Sequence, residues 1–128
     1  MALRVLLVED EAEIRAEILE YLGRRFHRVI AVGSYAEAWN LLSDASSTDP
    51  IDAVLCDLNL EDGNGVDLFA RFASALPNCR WILMSGDPDH QRLKVERDRI
   101  PGLPPCTVVT KPVSLRYLDT LISKSFPP

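Results

Sequence analysis

A doubly wound α/β fold, with five parallel strands in the order 2-1-3-4-5 and helices on both faces, is what the 128-residue sequence predicts. Three observations carry that expectation. Five short, largely apolar runs recur along the chain, as strands covered on both faces would. Between them, apolar residues return at helical spacing. Strand and helix then alternate from one end to the other without an internal repeat or low-complexity stretch, which favours right-handed crossovers between parallel strands.

Leu3 to Val8 reads as the first strand, and Ile14, Ile18, Leu19 and Leu22 as the apolar stripe of the helix after it. Arg28 to Val32 is the second strand. Ser34, followed three residues later by Glu37, is a capping-box signature that starts a second helix with the stripe Ala38, Leu41 and Leu42. Ile51 to Cys56 is the third strand, and Leu68, Phe69, Phe72 and Leu76 mark the third helix. Trp81 to Met84 is the fourth strand. Asp89 to Arg99 is dominated by charge, with only Leu93 and Val95 apolar, and Pro101, Gly102, Pro104 and Pro105 forbid helix beyond it. A short or irregular fourth helix is expected there, then an extended loop that is either a partner-specific surface or a tolerated insertion. Thr107 to Val109 is the fifth strand. Ser114 after Pro112 caps a last helix striped by Leu115, Leu118, Leu121 and Ile122.

Composition restricts the function classes. At 47% hydrophobic the chain suffices for one core and falls short of two, so residues 1–128 are expected to form a single domain. The net charge is −5, and Arg24, Arg25, Arg92, Arg97 and Arg99 are scattered among acids. No basic stripe exists to hold a phosphate backbone, so direct nucleic-acid binding is not expected. No apolar stretch is longer than Val5 to Val8, far below the ~20 residues that span a bilayer, and the start lacks a signal-peptide pattern, so a cytoplasmic protein without membrane association is expected. Cys56, Cys79 and Cys106 match neither a zinc knuckle nor a redox pair and read as small hydrophobes. His27 and His90 read as solvated loop or strand-edge residues. Trp39, Trp81, Tyr21, Tyr35 and Tyr117 show no stacked arrangement that spacing reveals; Trp81 is expected in the core or on a half-exposed sheet, while for Tyr117, one residue from the apolar stripe of the last helix, a dimer or partner face is the lesser of the readings left open.

Four strand ends supply Glu9-Asp10, Asp57, Ser85 and Lys111. In open parallel sheets the binding crevice lies beyond the carboxyl ends of the strands where the strand order reverses, and the first and third strands flank that point. Each acid alone could merely cap the helix that follows it. Caps need no convergence with a strand-terminal lysine, however, and convergence is what the topology gives. Three carboxylates suit Mg²⁺, a hard cation that keeps several waters: Asp10 and Asp57 as direct ligands, Glu9 through water, and the Asn59 carbonyl pointing into the same crevice. Close carboxylates raise one another's proton affinity unless a cation offsets it, and Lys111 and the metal are the offset. A carboxylate can also attack a phosphoryl group to give an acyl phosphate, and Asp57 occupies the centre of the array. Lys111 and the Ser85 hydroxyl supply charge neutralisation and hydrogen bonding to the transferred group.

Glu9-Asp10, Asp57, Ser85-Gly86 and Lys111-Pro112, in that order over essentially the whole chain, resemble the receiver domain of two-component response regulators. The resemblance implies a flavodoxin-like (βα)5 fold and a phosphorylation-dependent switch. Asp57 would take a phosphoryl group from a sensor histidine kinase or histidine phosphotransfer protein. Mg²⁺ would be held by Glu9, Asp10, Asp57 and the Asn59 carbonyl, Lys111 would pair with the phosphate, and Ser85 would swing to it. Gly65 matches a glycine of the family's flexible turn, and Lys111-Pro112 a peptide bond that the family usually holds cis. The implied activity is no more than self-catalysed transfer and slow autodephosphorylation, serving an unidentified downstream protein, with a homodimer also open to it.

Two residues depart from the family pattern. Glu61 stands where the family often has proline, and Val108 where many receivers carry an aromatic ring that rotates on activation. A change on phosphorylation is therefore expected in the Ser85-Gly86-Asp87 turn and the loop up to Pro105. Other readings are a receiver-like interaction module that signals without phosphate and a metal-dependent aspartyl phosphatase. The latter asks for a second Asp where Asn59 stands. The chain stops in Phe126-Pro127-Pro128 soon after its last helix, so either a stand-alone regulator or a receiver cut from a longer protein is expected, without an output domain in this chain.

Overall fold

Val5, Leu6, Leu7 and Val8 are fully buried, and a strand covered on both faces needs neighbours on both edges to satisfy its backbone. The computed structural model, which describes residues 3–45, 50–86 and 91–123 with the side chains at 91, 92, 96 and 97 excepted, supplies them. In chain order the elements are β1 (Arg4–Val8), α1 (Ala12–Arg24), β2 (Arg28–Val32), α2 (Tyr35–Asp44), β3 (Ala53–Asp57), β4 (Asn59–Leu60), β5 (Gly63–Asn64), α3 (Gly65–Phe72), β6 (Arg80–Ser85), α4 (Gln91–Arg99), β7 (Thr107–Thr110) and α5 (Leu115–Ser123). The sheet runs β2-β1-β3-β6-β7 with every pair parallel, which is the 2-1-3-4-5 order of its five long strands. Asp87, Asp89, His90 and Phe126-Pro127-Pro128 lie outside the described residues.

Alternation along the strands separates two apolar layers. Leu6, Val8, Val54, Cys56, Trp81 and Leu83 pack with Ala38 and Leu42 of α2 and Val66, Leu68 and Phe69 of α3. Val5, Leu7, Ala53, Leu55, Ile82 and Met84 pack with Ile18 and Leu22 of α1 and Leu118 and Ile122 of α5. Each large side chain fully withdrawn from water contributes roughly 1.5–3 kcal/mol, so these layers fix the register that aligns the strand ends.

Several local expectations are refined. Leu19 is exposed, so the α1 stripe is narrower than its spacing suggests. Ser34 caps α2 by accepting the Glu37 N–H (3.2 Å), but the Glu37 carboxylate reaches the Gly33 N–H (3.2 Å) instead of that of Ser34. Ser114 accepts the Tyr117 N–H (3.3 Å), the expected cap of α5. Asn64, unanticipated as a cap, accepts the Asp67 N–H (2.8 Å) at the start of α3. That helix ends at Phe72 rather than continuing to Leu76. α4 is short, as its charge predicts, but a regular nine-residue helix, with Leu93 buried and Val95 exposed.

His27 corrects the expectation of a solvated residue. It is buried, its Nδ1 accepts the Leu3 N–H (3.4 Å), and Nε2 therefore carries the proton that it donates to Asp119 Oδ1 on α5 (2.8 Å). Burial would raise the Asp119 carboxyl, but hydrogen bonds from His27 and Arg25 outweigh it and hold the group below its usual range. Aromatic residues dispersed in sequence also come together: Trp39 of α2 stacks with Tyr35 at 6.0 Å, meets Phe72 edge-on at 4.9 Å and carries the Arg71 guanidinium 5.4 Å above its ring. Trp81 is in the core, edge-on to Phe69 at 5.5 Å.

The end of α1 contains a costly residue. The His27 N–H returns to the Leu22 carbonyl (3.2 Å) and the Phe26 N–H to that of Gly23 (3.1 Å), the two bonds of a Schellman motif, whose left-handed position usually belongs to glycine. Here Phe26 occupies it at φ +68°, 84% exposed. Phe26→Gly is expected to raise the unfolding free energy by about 0.5–1 kcal/mol, the relief of the left-handed strain less glycine's added unfolded-state entropy. Urea unfolding checks it. A variant less stable than the parent would show that the exposed ring makes a contact worth more than the strain.

Candidate functional site

Where β1, β3, β6 and β7 end, the register decides which side chains meet. Val8 lies beside Cys56, Asp57 beside Met84 and Ser85 beside Thr110. The Glu9 N–H extends the ladder to Val32 (3.1 Å), and the Lys111 N–H extends it to the Ser85 carbonyl (2.7 Å). Glu9, Asp10, Asp57, Ser85 and Lys111 are thus all at the carboxyl edge of the sheet, with Lys111-Pro112 a cis peptide bond.

Lys111 Nζ bridges two of the acids, 2.6 Å from Asp57 Oδ2 and 3.1 Å from Glu9 Oε1. The remaining oxygens are held by main-chain donors. Asp57 Oδ1 accepts the Asn59 N–H (3.1 Å), Glu9 Oε2 the Glu11 N–H (3.3 Å) and Asp10 Oδ2 the Glu61 N–H (3.1 Å). One carboxylate oxygen from each of Glu9, Asp10 and Asp57 lies within 4.8 Å of the other two. Asn59 meets this cluster through its N–H, the opposite end of the residue from the carbonyl that sequence reasoning assigned to a metal.

Charge and burial conflict here. Glu9 is wholly buried and Asp57 nearly so. Burial raises the Glu9 carboxyl above its usual range; the Lys111 hydrogen bond opposes that, and the charge of Asp57 adds to it. Burial by itself would lower Lys111, but its hydrogen bonds to Asp57 and Glu9 outweigh that and raise it. Ionised, three carboxylates against one ammonium leave two negative charges in excess, which a divalent cation would cancel. Cys56 beside them is inert: burial first, then the charges of Asp57 and Glu9, push its thiol far above the usual range.

The supporting shell explains two residues that the motif alone leaves unexplained. A Cβ at Gly65 would lie 2.5 Å from the Asp57 carbonyl oxygen and 3.0 Å from Cys56 Sγ, so only glycine lets α3 start this close to the site. Arg15, on α1, donates from Nη1 to the Glu9 carbonyl (2.8 Å), fixing the backbone from which Glu9 and Asp10 project. Neither Arg15 nor the N–H groups of Asn59 and Glu61 were legible as site residues. A main-chain donor has no residue type to betray it.

Comparison with known proteins agrees with this geometry. A family model described as the response regulator receiver domain matches residues 5–123. The regulatory protein VirG of Agrobacterium tumefaciens is 33% identical over 114 residues, covering 88% of this chain and 39% of its own length. A response regulator receiver protein from Sinorhizobium medicae shares the fold at a TM-score of 0.77 and 26% identity, over 96% of this chain and 93% of that one. A CheY-like receiver domain protein from Methanospirillum hungatei reaches a TM-score of 0.80 over 98% and 94% of the two chains, at 18% identity, which speaks for the fold alone. The chain spans only 12% to 46% of the length of curated relatives it matches. With an acidic cluster and its lysine at the switch point of a five-stranded parallel sheet, and a family match from Val5 to the end of α5, the chain belongs to the receiver domains of two-component response regulators.

Proposed function

We propose that this receiver domain is a phosphorylation-dependent switch in which Asp57 accepts a phosphoryl group from a phosphohistidine of a sensor kinase or phosphotransfer protein. The observation that carries the reading is the position of Asp57. Its carboxylate sits between Lys111 Nζ and the Asn59 N–H, beside two further acids, so it is aimed by both of its oxygens before any donor arrives. A carboxylate oxygen attacks phosphorus, the bond from phosphorus to the donor imidazole breaks with its electron pair leaving on nitrogen, and an acyl phosphate remains. Such transfer relies on positioning and charge neutralisation. Lys111, already at 2.6 Å, neutralises a phosphoryl oxygen without first having to be recruited. The buried Ser85 hydroxyl is the second group assigned to that oxygen set, as the switch.

The donor set fits Mg²⁺, since every side-chain donor is a hard oxygen and Asp10 Oδ1 has no hydrogen-bond partner among the described residues. Asp10 and Asp57 would hold the ion directly, Glu9 through water, and the Asn59 carbonyl would complete the protein's share. When bound, the ion supplies positive charge against the phosphoryl oxygens and removes the mutual repulsion of the acids.

Val108 is half-buried against the α2-α3 layer and offers no ring to rotate, so the response is assigned to the segment from Ser85 to Pro105. The partners implied are a kinase or phosphotransfer protein, with which the domain would act in the cytoplasm, and a downstream protein read through that segment. Incubation with acetyl phosphate and Mg²⁺ tests the reading by intact mass and peptide mapping. One phosphoryl group at Asp57, lost with a chelator, is the expected result; no uptake from this donor or from any phosphohistidine protein would overturn it.

A further inference from the structure

Of the six carboxylate oxygens on Glu9, Asp10 and Asp57, five accept a hydrogen bond from a described residue, and the sixth is Asp10 Oδ1. What fixes Asp10 in this arrangement is a single main-chain donor, the Glu61 N–H, 3.1 Å from Oδ2. Glu61 and Asp62 form the two-residue turn of the β4-β5 hairpin, in which Asn59 pairs with Asn64 and Leu60 with Gly63. This turn is clamped from the side away from Asp10. Asp62 Oδ1 accepts the Tyr35 N–H (2.8 Å) and Oδ2 the Ala36 N–H (3.2 Å), while Gly63 lies so close to the Tyr35 ring that a Cβ there would come within 2.5 Å of it. The hairpin is therefore a strap between the first turn of α2 and the acidic edge, and it presents two amides to two acids, Asn59 to Asp57 and Glu61 to Asp10.

We infer that the main-chain N–H of Glu61 is a positioning group for the divalent cation: by holding Oδ2, it orients Asp10 so that Oδ1 is the oxygen left for the ion. The inference rests on the reading that these acids hold Mg²⁺. It gives residue 61 a role independent of its side chain. Any residue but proline would serve, because only proline lacks the donor.

Isothermal titration with Mg²⁺ alone separates the possibilities, on the parent and on Glu61→Pro, Glu61→Ala and Glu61→Gln. Glu61→Pro is expected to weaken binding roughly three- to tenfold, part of what a hydrogen bond to a charged group is worth. The other two variants should stay within about twofold of the parent, since an exposed, screened carboxylate contributes little. Unchanged affinity in Glu61→Pro would overturn the inference and leave the metal reading intact. Equal weakening in Glu61→Pro and Glu61→Ala would overturn it in favour of the side-chain charge, and absence of Mg²⁺ binding by the parent would remove both readings. Amide exchange gives an answer that needs no folded proline variant. In metal-free parent protein the Glu61 amide should be protected, and Asp10→Ala should abolish that protection while leaving the Tyr35 and Ala36 amides, held by Asp62, unchanged. An unprotected Glu61 amide in the parent would overturn the inference.

Discussion

Asp57→Asn should bring phosphoryl uptake from acetyl phosphate to the level of a protein-free blank, while the fold is retained. The substitution keeps the side chain's shape and leaves one carbonyl oxygen to accept the Asn59 N–H (3.1 Å in the parent). It removes the nucleophile, because an amide has no anionic oxygen to attack phosphorus. It also turns an NH₂ donor toward Lys111 Nζ, 2.6 Å from the oxygen it replaces, or else forces the amide to flip and lose the Asn59 bond. The lysine keeps its contact with Glu9, and one negative charge leaves a cluster that has too many, so stability should change by no more than about 1 kcal/mol in metal-free buffer. Intact mass after incubation reads the chemistry and thermal unfolding reads the fold. Labelling equal to the parent in a folded variant would refute Asp57 as the acceptor.

Lys111→Met should produce the largest loss of stability at the site, and the loss should depend on pH. Methionine replaces the apolar stem but not the ammonium, leaving the fully buried Glu9 without its strongest compensating partner. Removing one member of a buried pair typically costs about 3–5 kcal/mol, and because Lys111 is partly exposed, about 2–3 kcal/mol is expected near neutral pH. The signs follow from linkage. Lys111 is raised above 10.5 in the parent, so its contribution is complete below 10.5 and is lost only as pH rises through the raised folded value. Glu9 is already raised above 4.5 by burial, and without Lys111 it moves further up. The folded variant then binds a proton more readily than its unfolded chain, and it regains stability as pH falls through that raised value toward 4.5. Urea unfolding at a series of pH values should show the parent and variant curves converging in mild acid. A deficit that is constant from pH 5 to 8 would mean that lost packing, not an uncompensated carboxylate, is responsible.

The legible part of this protein is what periodicity and strand ends encode. Leu3 to Val8 and Ile51 to Cys56 are apolar without interruption because both faces are covered, and that pattern located the strands to within two residues. Glu9, Asp10, Asp57, Ser85 and Lys111 could be gathered from sequence because parallel topology places all such ends at one edge. The hairpin β4-β5 escaped notice because two-residue strands show no period. His27 was misread as solvated because its partner, Asp119, is 92 residues away and no local pattern announces it. Leu19 satisfied the helical spacing of the α1 stripe and is nonetheless exposed, since that helix covers the sheet along Ile14, Ile18, Tyr21 and Leu22.

The grip on Asp119 bears on how the domain moves. Arg25 and His27, both in the connection leading into β2, seize that one carboxylate of α5 from below, and Arg80 at the foot of β6 donates to the carbonyl of Leu121, further along the same helix (3.4 Å). The last helix is thus bolted to the sheet at its amino edge as well as glued by Leu118 and Ile122. On the helix before it, among the described side chains, Leu93 is the buried one and Val95 faces outward. Mechanically the last helix is a fixed rail. Sliding it would break the ion pair to Arg25, the hydrogen bonds to His27 and Arg80 and a packed layer together.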